Sequence, residues 1–309
     1  MYKHRFLSKI YLIPLMILIS GLLLHSGCGG ITSPPITNEI VYRALIVGVG
    51  DYINNDVVGD LPSPPYDVDR MCYTLSECRF GSSNTPFSNI WYLKDRQATK
   101  SNILYNITSY CFAGADYNDI SYFYFSGHGN REGNTSYLCP TDTISSVDLD
   151  ISVDKLEAAL SSIPGTKVVF LDTCHSGGFI GKGKGEITIS QEELESFNNE
   201  IINVFSQAQS KGLLTTNQYK VLTACLSFQL SAEHVPSEGD PFGVFTMALC
   251  DGCGYYGDYP ADTNLDNKVS LQEAYLDVKY LVNYWANSLG ISQDIQVYPN
   301  NSTFTIVEY

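Results

Sequence analysis

Two side chains capable of covalent chemistry follow apolar, strand-like segments. Cys174 follows Val168–Leu171 within VVFLDTCHSGGF, and His128 follows Ile120–Phe125 within ISYFYFSGHG. Runs of β-branched and aromatic residues that end near glycines predict strands whose last residues lie at a sheet edge, where a ligand reaches them. A thiol beside an imidazole is the pair that nucleophilic catalysis by a thiolate requires.

In this pair Cys174 is the predicted nucleophile and His128 the predicted general acid and base. A free thiol has a pKa of about 8.5, so a neighbouring imidazole makes the thiolate more available at neutral pH. His175 is a rival base, but adjacent side chains on an extended chain point apart, which favours His128. The alternative is a packed core thiol and a loop histidine. The glycines close to both residues favour catalysis, because they let a substrate backbone approach.

The surrounding sequence indicates the elements that position this pair. Predicted strands and helices alternate in the order strand Val41–Val49, helix Asp67–Glu77, strand Ile90–Leu93, helix Thr99–Ile107, strand Ile120–Phe125, helix Ser152–Leu160 and strand Val168–Leu171. This alternation predicts an α/β fold with a doubly wound, mainly parallel sheet flanked by helices on both faces. Such sheets bind ligands at the carboxyl ends of their strands, where His128 and Cys174 are both expected.

The rest of the chain predicts a surface excursion followed by further elements. Residues 181–213 begin with alternating glycine and lysine and continue polar, which is typical of an exposed segment with a weak helix inside it. The later predicted elements are strand Tyr219–Ala224, helix Phe242–Leu249, helix Val269–Leu289, and strands Ile295–Tyr298 and Phe304–Val307.

The paired GHG and DTCHSG motifs resemble those of the caspase-like cysteine peptidases, most closely the metacaspase branch. Further similar segments are Arg43–Gly48 (first strand), Leu61–Met71 (substrate-pocket loop and helix), Val221–Glu233 (later strand and pocket turn) and Gly243–Leu249 (next helix). The likeness implies a caspase-like fold and a cysteine endopeptidase with a Cys174–His128 dyad. It also implies an oxyanion hole formed by the backbone N–H groups of Gly129 and Cys174.

The same resemblance assigns Asp172 and Asp67 to an acidic substrate pocket. Two carboxylates at the base of a pocket would select Arg or Lys before the scissile bond through charge-assisted hydrogen bonds. The alternatives are a loop-capping role for Asp172 and a helix N-cap role for Asp67, and weaker pocket candidates are Asp51 and Asp69. A caspase that prefers aspartate needs arginines in its pocket, and the nearby arginines, Arg43 and Arg70, do not fit that place. Proteins or peptides with basic residues are therefore the expected substrates.

The resemblance also bears on the excursion 181–213. One interpretation is an intersubunit linker that the enzyme cuts itself at Lys182, Lys184 or Lys211. The other is a flexible surface loop. An unchanged single band on a gel after prolonged activation would argue against self-cleavage.

Residues 262–273 fit the calcium-binding loop of an EF-hand. The predicted ligands are oxygen atoms of Asp262, Asn264, Asp266, the Lys268 carbonyl, Ser270 and Glu273. Asn267 replaces the usual glycine and tolerates a left-handed backbone. No helix is predicted over Gly257–Ala261, so the loop resembles the isolated calcium loops of secreted proteins, with a structural role. An acidic helix cap is the alternative, and no organic cofactor is expected.

The first residues are typical of an export signal. Lys3, Arg5 and Lys9 precede the apolar stretch Ile10–Leu24, and the sequence around Cys28 resembles the lipobox of bacterial lipoproteins. We therefore expect a signal peptide at 1–27, lipidation of Cys28, a tether at 28–40 and a peptidase domain at 41–309. The protein is then exported to the bacterial cell envelope, either membrane-bound through the lipid or secreted after a simple signal.

Charge and cysteine content narrow the remaining classes. The chain of 309 residues carries a net charge of −15, which disfavours nucleic acid as a partner. Among its 9 cysteines, Cys250 and Cys253 form a CxxC pair without nearby histidines, so free buried thiols or one local disulfide are favoured over zinc.

Two other functions stay open. A legumain-like or clostripain-like peptidase would have a different pocket, and the HSG after Cys174 argues against it. A non-catalytic, calcium-stabilised surface module is disfavoured by the intact Cys/His pair.

Overall fold

Apolar segments with the character of buried strands build a central sheet. The computed structural model describes residues 39–133, 135–175, 199–207, 217–224, 226–227, 233–289, 292–293 and 295–309. The described residues from Glu39 onward belong to one compact unit. The predicted signal peptide 1–27, the lipidation site Cys28, all but the end of the tether, and the linker lysines Lys182, Lys184 and Lys211 lie outside the described residues.

The described strands are β1 (Tyr42–Gly48), β2 (Phe87–Lys94), β3 (Ile120–Glu132), β4 (Thr135–Leu138), β5 (Ile151–Ser152), β6 (Gly165–His175), β7 (Asn217–Ala224), β8 (Leu226–Ser227), β9 (Glu233–His234), β10 (Phe242–Gly243), β11 (Lys268–Ser270), β12 (Ser292–Gln293), β13 (Gln296–Tyr298) and β14 (Thr305–Glu308). The described α-helices are α1 (Pro64–Ser76), α2 (Lys100–Tyr105), α3 (Val153–Ser161), α4 (residues 199–207), α5 (Val244–Gly252) and α6 (Leu271–Leu289).

The central sheet has the strand order β13-β7-β6-β3-β1-β2. The strands from β2 to β7 in this order pair in parallel, and β13 closes one edge in the antiparallel direction. The chain runs from β1 to one neighbour, β2, and then returns to the other side as β3. The gap between β1 and β3 at their carboxyl ends is therefore the switch point at which such sheets bind ligands. The predicted α/β fold, with a mainly parallel sheet between two helical layers, is confirmed.

Alternate residues of each central strand enter two separate cores, because successive side chains in a strand point to opposite faces. One core packs strand residues such as Ile46, Tyr124 and Phe170 with α1, α5 and α6. The other packs Phe125 and Leu171 with α2, α3 and α4. This two-sided burial explains why the strands have continuous apolar sequences rather than alternating ones.

Several predicted boundaries need correction. Strands β3 and β6 do not end at Phe125 and Leu171 but continue to Glu132 and His175, since β3 pairs onward with β4 and with β6. Helix α1 begins inside the predicted loop, with prolines in its first turn, where a missing N–H costs nothing. Val269 belongs to β11 and not to the helix that follows it.

The excursion 181–213 is not wholly exposed, as its described part shows. In α4, Ile201 and Phe205 are buried, and the Phe205 ring lies 4.9 Å from the ring of Tyr219. Glu200 accepts a hydrogen bond from the Ser136 hydroxyl at 2.6 Å. These contacts attach the middle of the excursion to the core.

Candidate active site

The two predicted catalytic residues occupy paired positions on the central strands. In the parallel pairing of β3 with β6, His128 is the register partner of Cys174. Neighbouring strands lie about 4.8 Å apart, so the two backbone positions are adjacent. Both lie towards the carboxyl ends of the parallel sheet, on the β3 side of the switch point. The rival base His175 is the register partner of Gly129.

The imidazole of His128 is held by the loop that follows β1. Its Nε2 lies 2.8 Å from the carbonyl oxygen of Gly59. A carbonyl oxygen only accepts hydrogen bonds, so Nε2 carries the proton of the neutral ring and Nδ1 is the basic nitrogen. Burial lowers the pKa of His128, while the Gly59 carbonyl and the charge of Asp60 act in the opposite direction. The ring is therefore neutral near pH 7, as a general base must be.

The two predicted oxyanion donors lie at the same edge of the sheet. Gly129 follows His128 in β3 and pairs with His175 of β6 on one side and with Leu138 of β4 on the other. The backbone of Cys174 is one position earlier in β6. Their N–H groups therefore belong to neighbouring strands within one register step of each other.

The first predicted pocket acid, Asp67, is fully buried in the first turn of α1. Its Oδ2 accepts a hydrogen bond from the Ser126 hydroxyl, and its Oδ1 accepts one from the Gly243 N–H, both at 2.9 Å. Burial and the neighbouring charge of Asp172 raise the pKa of Asp67 well above its usual value. The alternative of an N-cap role is wrong, because the N-cap residue of α1 is Ser63.

The second predicted pocket acid, Asp172, meets Asp67 at Gly243. A Cβ atom on Gly243 would lie 2.5 Å from Asp172 Oδ2 and 2.9 Å from Asp67 Oδ2. Asp172 Oδ2 accepts hydrogen bonds from the Thr246 N–H and hydroxyl at 3.2 and 2.6 Å. Burial, and to a smaller extent Glu233, raises the pKa of Asp172 to about 6 against the effect of these bonds. The structure thus brings both predicted acids together around a residue without a side chain.

Glu233 is a third acid of this site, beyond the two that the sequence predicts. Its Oε1 accepts hydrogen bonds from the N–H of Ser63 at 2.9 Å and from the Ser63 hydroxyl. Its charge acts on both Asp67 and Asp172, and burial raises its own pKa. Its position at the end of the segment that resembles the pocket turn is the one sequence signal that could have identified it.

The other charged residues weighed for the pocket lie in ion pairs elsewhere. These pairs are Arg43–Asp119 at 2.6 Å, Arg70–Asp251 at 2.9 Å, Arg96–Asp51 at 2.8 Å and Lys94–Asp69 at 2.6 Å. Asp51 and Asp69 therefore do not join the pocket acids. Within the described residues, no ion pair includes Asp67, Asp172 or Glu233.

The first half of the predicted calcium loop is closed by hydrogen bonds to its own carboxylates. The N–H groups of Asp266 and Asn267 donate to Asp262 at 3.3 and 3.0 Å, and the N–H of Lys268 donates to Asp266 at 3.0 Å. The hydroxyl of Tyr309, the last residue, donates to Asp262 at 2.8 Å. Asn267 has a φ of 66°, the left-handed backbone that the sequence predicts for it.

The second half of the loop is fixed to the C-terminal strand. Strand β11 pairs with β14, and its middle residue, Val269, is the register partner of Val307 and is buried in the core. Glu273 Oε2 accepts hydrogen bonds from the Ser270 N–H and hydroxyl at 3.0 and 2.7 Å. In the first half of the loop, the side chain of Asn264 also accepts a hydrogen bond, from the N–H of Asp266 at 2.9 Å.

The predicted ligands of this loop are all oxygen atoms, but they come from carboxylate, amide, hydroxyl and carbonyl groups. Across the part of the chain that the structure describes, no group of three or more His, Cys, Asp or Glu side chains is arranged to hold a metal ion. An ion in the loop would therefore also depend on amide, hydroxyl and carbonyl oxygens, which are the hard donors that calcium takes.

Cys250 and Cys253 are free, buried thiols at the end of α5, in agreement with one of the two alternatives from the sequence. Burial raises the pKa of Cys250. No helix among the described residues has the length and apolar character to cross a membrane.

Known proteins share this architecture. The caspase domain family matches residues 42–304. Caspase-1 from Spodoptera frugiperda is similar in structure, with a TM-score of 0.53 and 14% sequence identity over 87% of this chain and 89% of that one. A protein from Geobacter sulfurreducens gives a TM-score of 0.49 and 18% identity over 83% of this chain and 93% of that one. No curated protein sequence matches the chain.

Proposed function

This chain belongs to the caspase domain family, a family of cysteine peptidases, and we propose that it is an endopeptidase that cleaves after arginine or lysine. Cys174 is its nucleophile and His128 its general acid and base. The observation that carries the specificity is the meeting of two carboxylates at Gly243, one fully buried (Asp67) and one half-buried (Asp172). A legumain-like or clostripain-like specificity has no comparable observation in its favour.

The proposed reaction is acyl transfer through a thioester. Nδ1 of His128 takes the thiol proton of Cys174, and the thiolate sulfur attacks the scissile carbonyl carbon. The backbone N–H groups of Gly129 and Cys174 stabilise the oxyanion. The protonated imidazole then gives its proton to the leaving amine, and a water molecule, deprotonated by the same ring, hydrolyses the thioester.

The substrate's basic side chain would balance the charge of the pocket. Asp67 and Asp172 have raised pKa values mainly because they are buried, and Glu233 adds negative charge beside them. A guanidinium or ammonium group between them would form charge-assisted hydrogen bonds and favour the ionised carboxylates. Arginine, whose planar fork matches a carboxylate, should be preferred over lysine.

A panel of fluorogenic peptides with Arg, Lys, Asn or Asp before the cleaved bond tests this proposal. We expect turnover of the Arg and Lys peptides only, and a loss of at least about 10³-fold in Cys174→Ala and in His128→Ala. Cys72→Ala, which removes a different free thiol, is the matched control and should keep the wild-type rate. Preference for Asn would support a legumain-like enzyme, and wild-type rates in either dyad variant would overturn the dyad.

We further propose that residues 262–273 bind calcium and that the ion is structural. The supporting observations are the all-oxygen donor set and the attachment of the loop to β14 through β11. The bound ion would fix the start of α6 to the C-terminal strand.

Export and membrane attachment through Cys28 are also part of the proposal, supported by the sequence alone. The protein would then act on peptide substrates at the bacterial cell envelope, with no nucleic acid partner. Metabolic labelling with a fatty-acid analogue should mark the wild type and not Cys28→Ser, and equal labelling of the two would contradict the lipid anchor.

A further inference from the structure

The loop that follows β1 contacts His128 at two points from opposite ends of one short segment. At its start, the hydroxyl oxygen of Tyr52 accepts a hydrogen bond from the backbone N–H of His128 at 2.9 Å. At its end, the carbonyl oxygen of Gly59 accepts one from Nε2 of the imidazole at 2.8 Å. One contact fixes the backbone of the histidine and the other fixes its ring.

Asp60 ties the two ends of this segment together. Its Oδ1 accepts a hydrogen bond from the N–H of Tyr52 at 2.9 Å, and Asp60 directly follows Gly59. The carboxylate therefore links the residue that holds the backbone of His128 to the residue that holds its ring.

Tyr52 is itself rigidly placed. Its side chain is fully buried, and its ring lies 5.2 Å from the imidazole ring. Its hydroxyl lies 3.4 Å from the carbonyl oxygen of Cys139, whose N–H in turn donates to the carbonyl of His128 at 3.0 Å. A buried tyrosine whose hydroxyl donates to one backbone group and accepts from another allows little movement of either.

We propose that Tyr52 and Asp60 are positioning residues that hold His128 in the Nε2-protonated form, with Nδ1 directed to its work as the base. This inference rests on the role of His128 in the proposed function. Tyr52, Gly59 and Asp60 form a clasp in this sense: Tyr52 holds the main chain of His128, Gly59 holds its ring, and Asp60 links the two. Small displacements of a catalytic group cost about 10²-fold in rate, so the clasp should affect kcat rather than KM.

Asp60 has a second, electrostatic effect. Its charge acts on the imidazole and opposes the lowering of the pKa of His128 by burial. Removing its charge should therefore move the acidic limb of the kcat/KM profile to lower pH, because a weaker base is protonated only at lower pH. A purely structural role for Asp60 would not shift this limb.

The test compares Tyr52→Phe and Asp60→Asn with two controls, using an arginine peptide. Asn54→Ala removes a different hydrogen bond of the same loop, to the Thr143 carbonyl, and Tyr92→Phe removes an exposed hydroxyl. We expect kcat to fall roughly 10- to 100-fold in both clasp variants with KM within about twofold. Only Asp60→Asn should shift the acidic limb, and both controls should stay near the wild-type rate.

Two results would overturn the clasp: wild-type kcat and pH profile in both variants of an active enzyme, or equal losses in Asn54→Ala. An NMR titration of the His128 ring separates the clasp from the proposed function. If the wild type cleaves no peptide, the function fails, but an unchanged His128 pKa in Asp60→Asn would still overturn the clasp on its own. Should Tyr52→Phe not fold, Asp60→Asn decides both measurements.

Discussion

Two acid-rich regions of this molecule shift the pKa values of their carboxyl groups in opposite directions. In the pocket, burial raises the pKa values of Asp67 and Asp172. In the loop 262–273, burial alone would raise the pKa of Asp262, but hydrogen bonds from the Tyr309 hydroxyl and from backbone N–H groups lower it. Both regions are rich in acidic side chains. Only the loop, however, supplies enough hydrogen-bond donors to stabilise an ionised carboxylate without a ligand.

This difference indicates two kinds of cation. Buried acids with too few donors favour a ligand that brings both charge and N–H groups, as a guanidinium does. Carboxylates already oriented by N–H groups offer their remaining lone pairs to an ion that needs only oxygen atoms. The pocket is thus suited to a side chain and the loop to a metal ion.

Substitution of Asp172 is the most direct test of the difference between the pocket and the loop. Asp172→Asn removes one pocket charge while keeping the size of the side chain, and a hydrogen bond to a charged group contributes about 1.5–3 kcal/mol. We therefore expect kcat/KM for arginine peptides to fall about 10- to 100-fold, with correct folding retained.

Asp69→Asn is the matched control, because Asp69 lies on the same helix as Asp67 but pairs with Lys94 at the surface. It should leave kcat/KM unchanged. Equal losses in the two variants, or none in Asp172→Asn, would show that the pocket acids do not bind the substrate cation.

The KM for arginine peptides should also depend on pH through Asp172. Because the pKa of Asp172 is raised to about 6, its carboxylate becomes protonated as the pH falls through this value. The KM for arginine peptides should rise below about pH 6, and this rise should be absent in Asp172→Asn.

Stability should change in the opposite direction. A carboxyl group whose folded-state pKa lies above the unfolded value contributes stability at low pH and loses it as the pH rises through the folded pKa. The contribution of Asp172 to the free energy of unfolding should therefore decline between about pH 4 and pH 6. Chemical denaturation of wild type and Asp172→Asn across this window measures it, and parallel curves would contradict it.

The sequence predicts the parts of this molecule that local pattern determines. The continuous apolar run of β1 and the Thr99 cap of α2, whose hydroxyl accepts from the Asn102 N–H, are both readable from neighbouring residues. The pocket acids Asp67 and Asp172 were assigned through the resemblance of their motifs, and the structure brings them together at Gly243.

The parts that the sequence does not predict depend on distant contacts. Strand β3 continues past His128 because β4 and β6 supply partners there. Glu233 belongs to the site because it bonds to Ser63, which lies far away in the chain. In the sequence, Tyr52 is an ordinary aromatic residue after a strand. Only the structure shows that the backbone N–H of His128 donates to its hydroxyl.

The last expected effect lies in the calcium loop and affects stability alone. A ligand at 100 times its Kd raises the free energy of unfolding by about 2.7 kcal/mol, so saturating calcium should raise the Tm relative to EDTA by several degrees. Glu273→Gln weakens the acidic end of the donor set and should remove most of this shift, while Glu238→Gln, at an exposed glutamate outside the loop, should retain it. The loop is attached to β14 through its own strand, β11, and among the described strands it has no such pairing with the pocket. Calcium should therefore leave the arginine preference unchanged. Equal Tm values with calcium and with EDTA would mean that hydrogen bonds from the protein's own N–H and hydroxyl groups suffice to stabilise the loop carboxylates. Only one cation site, the pocket, would then remain.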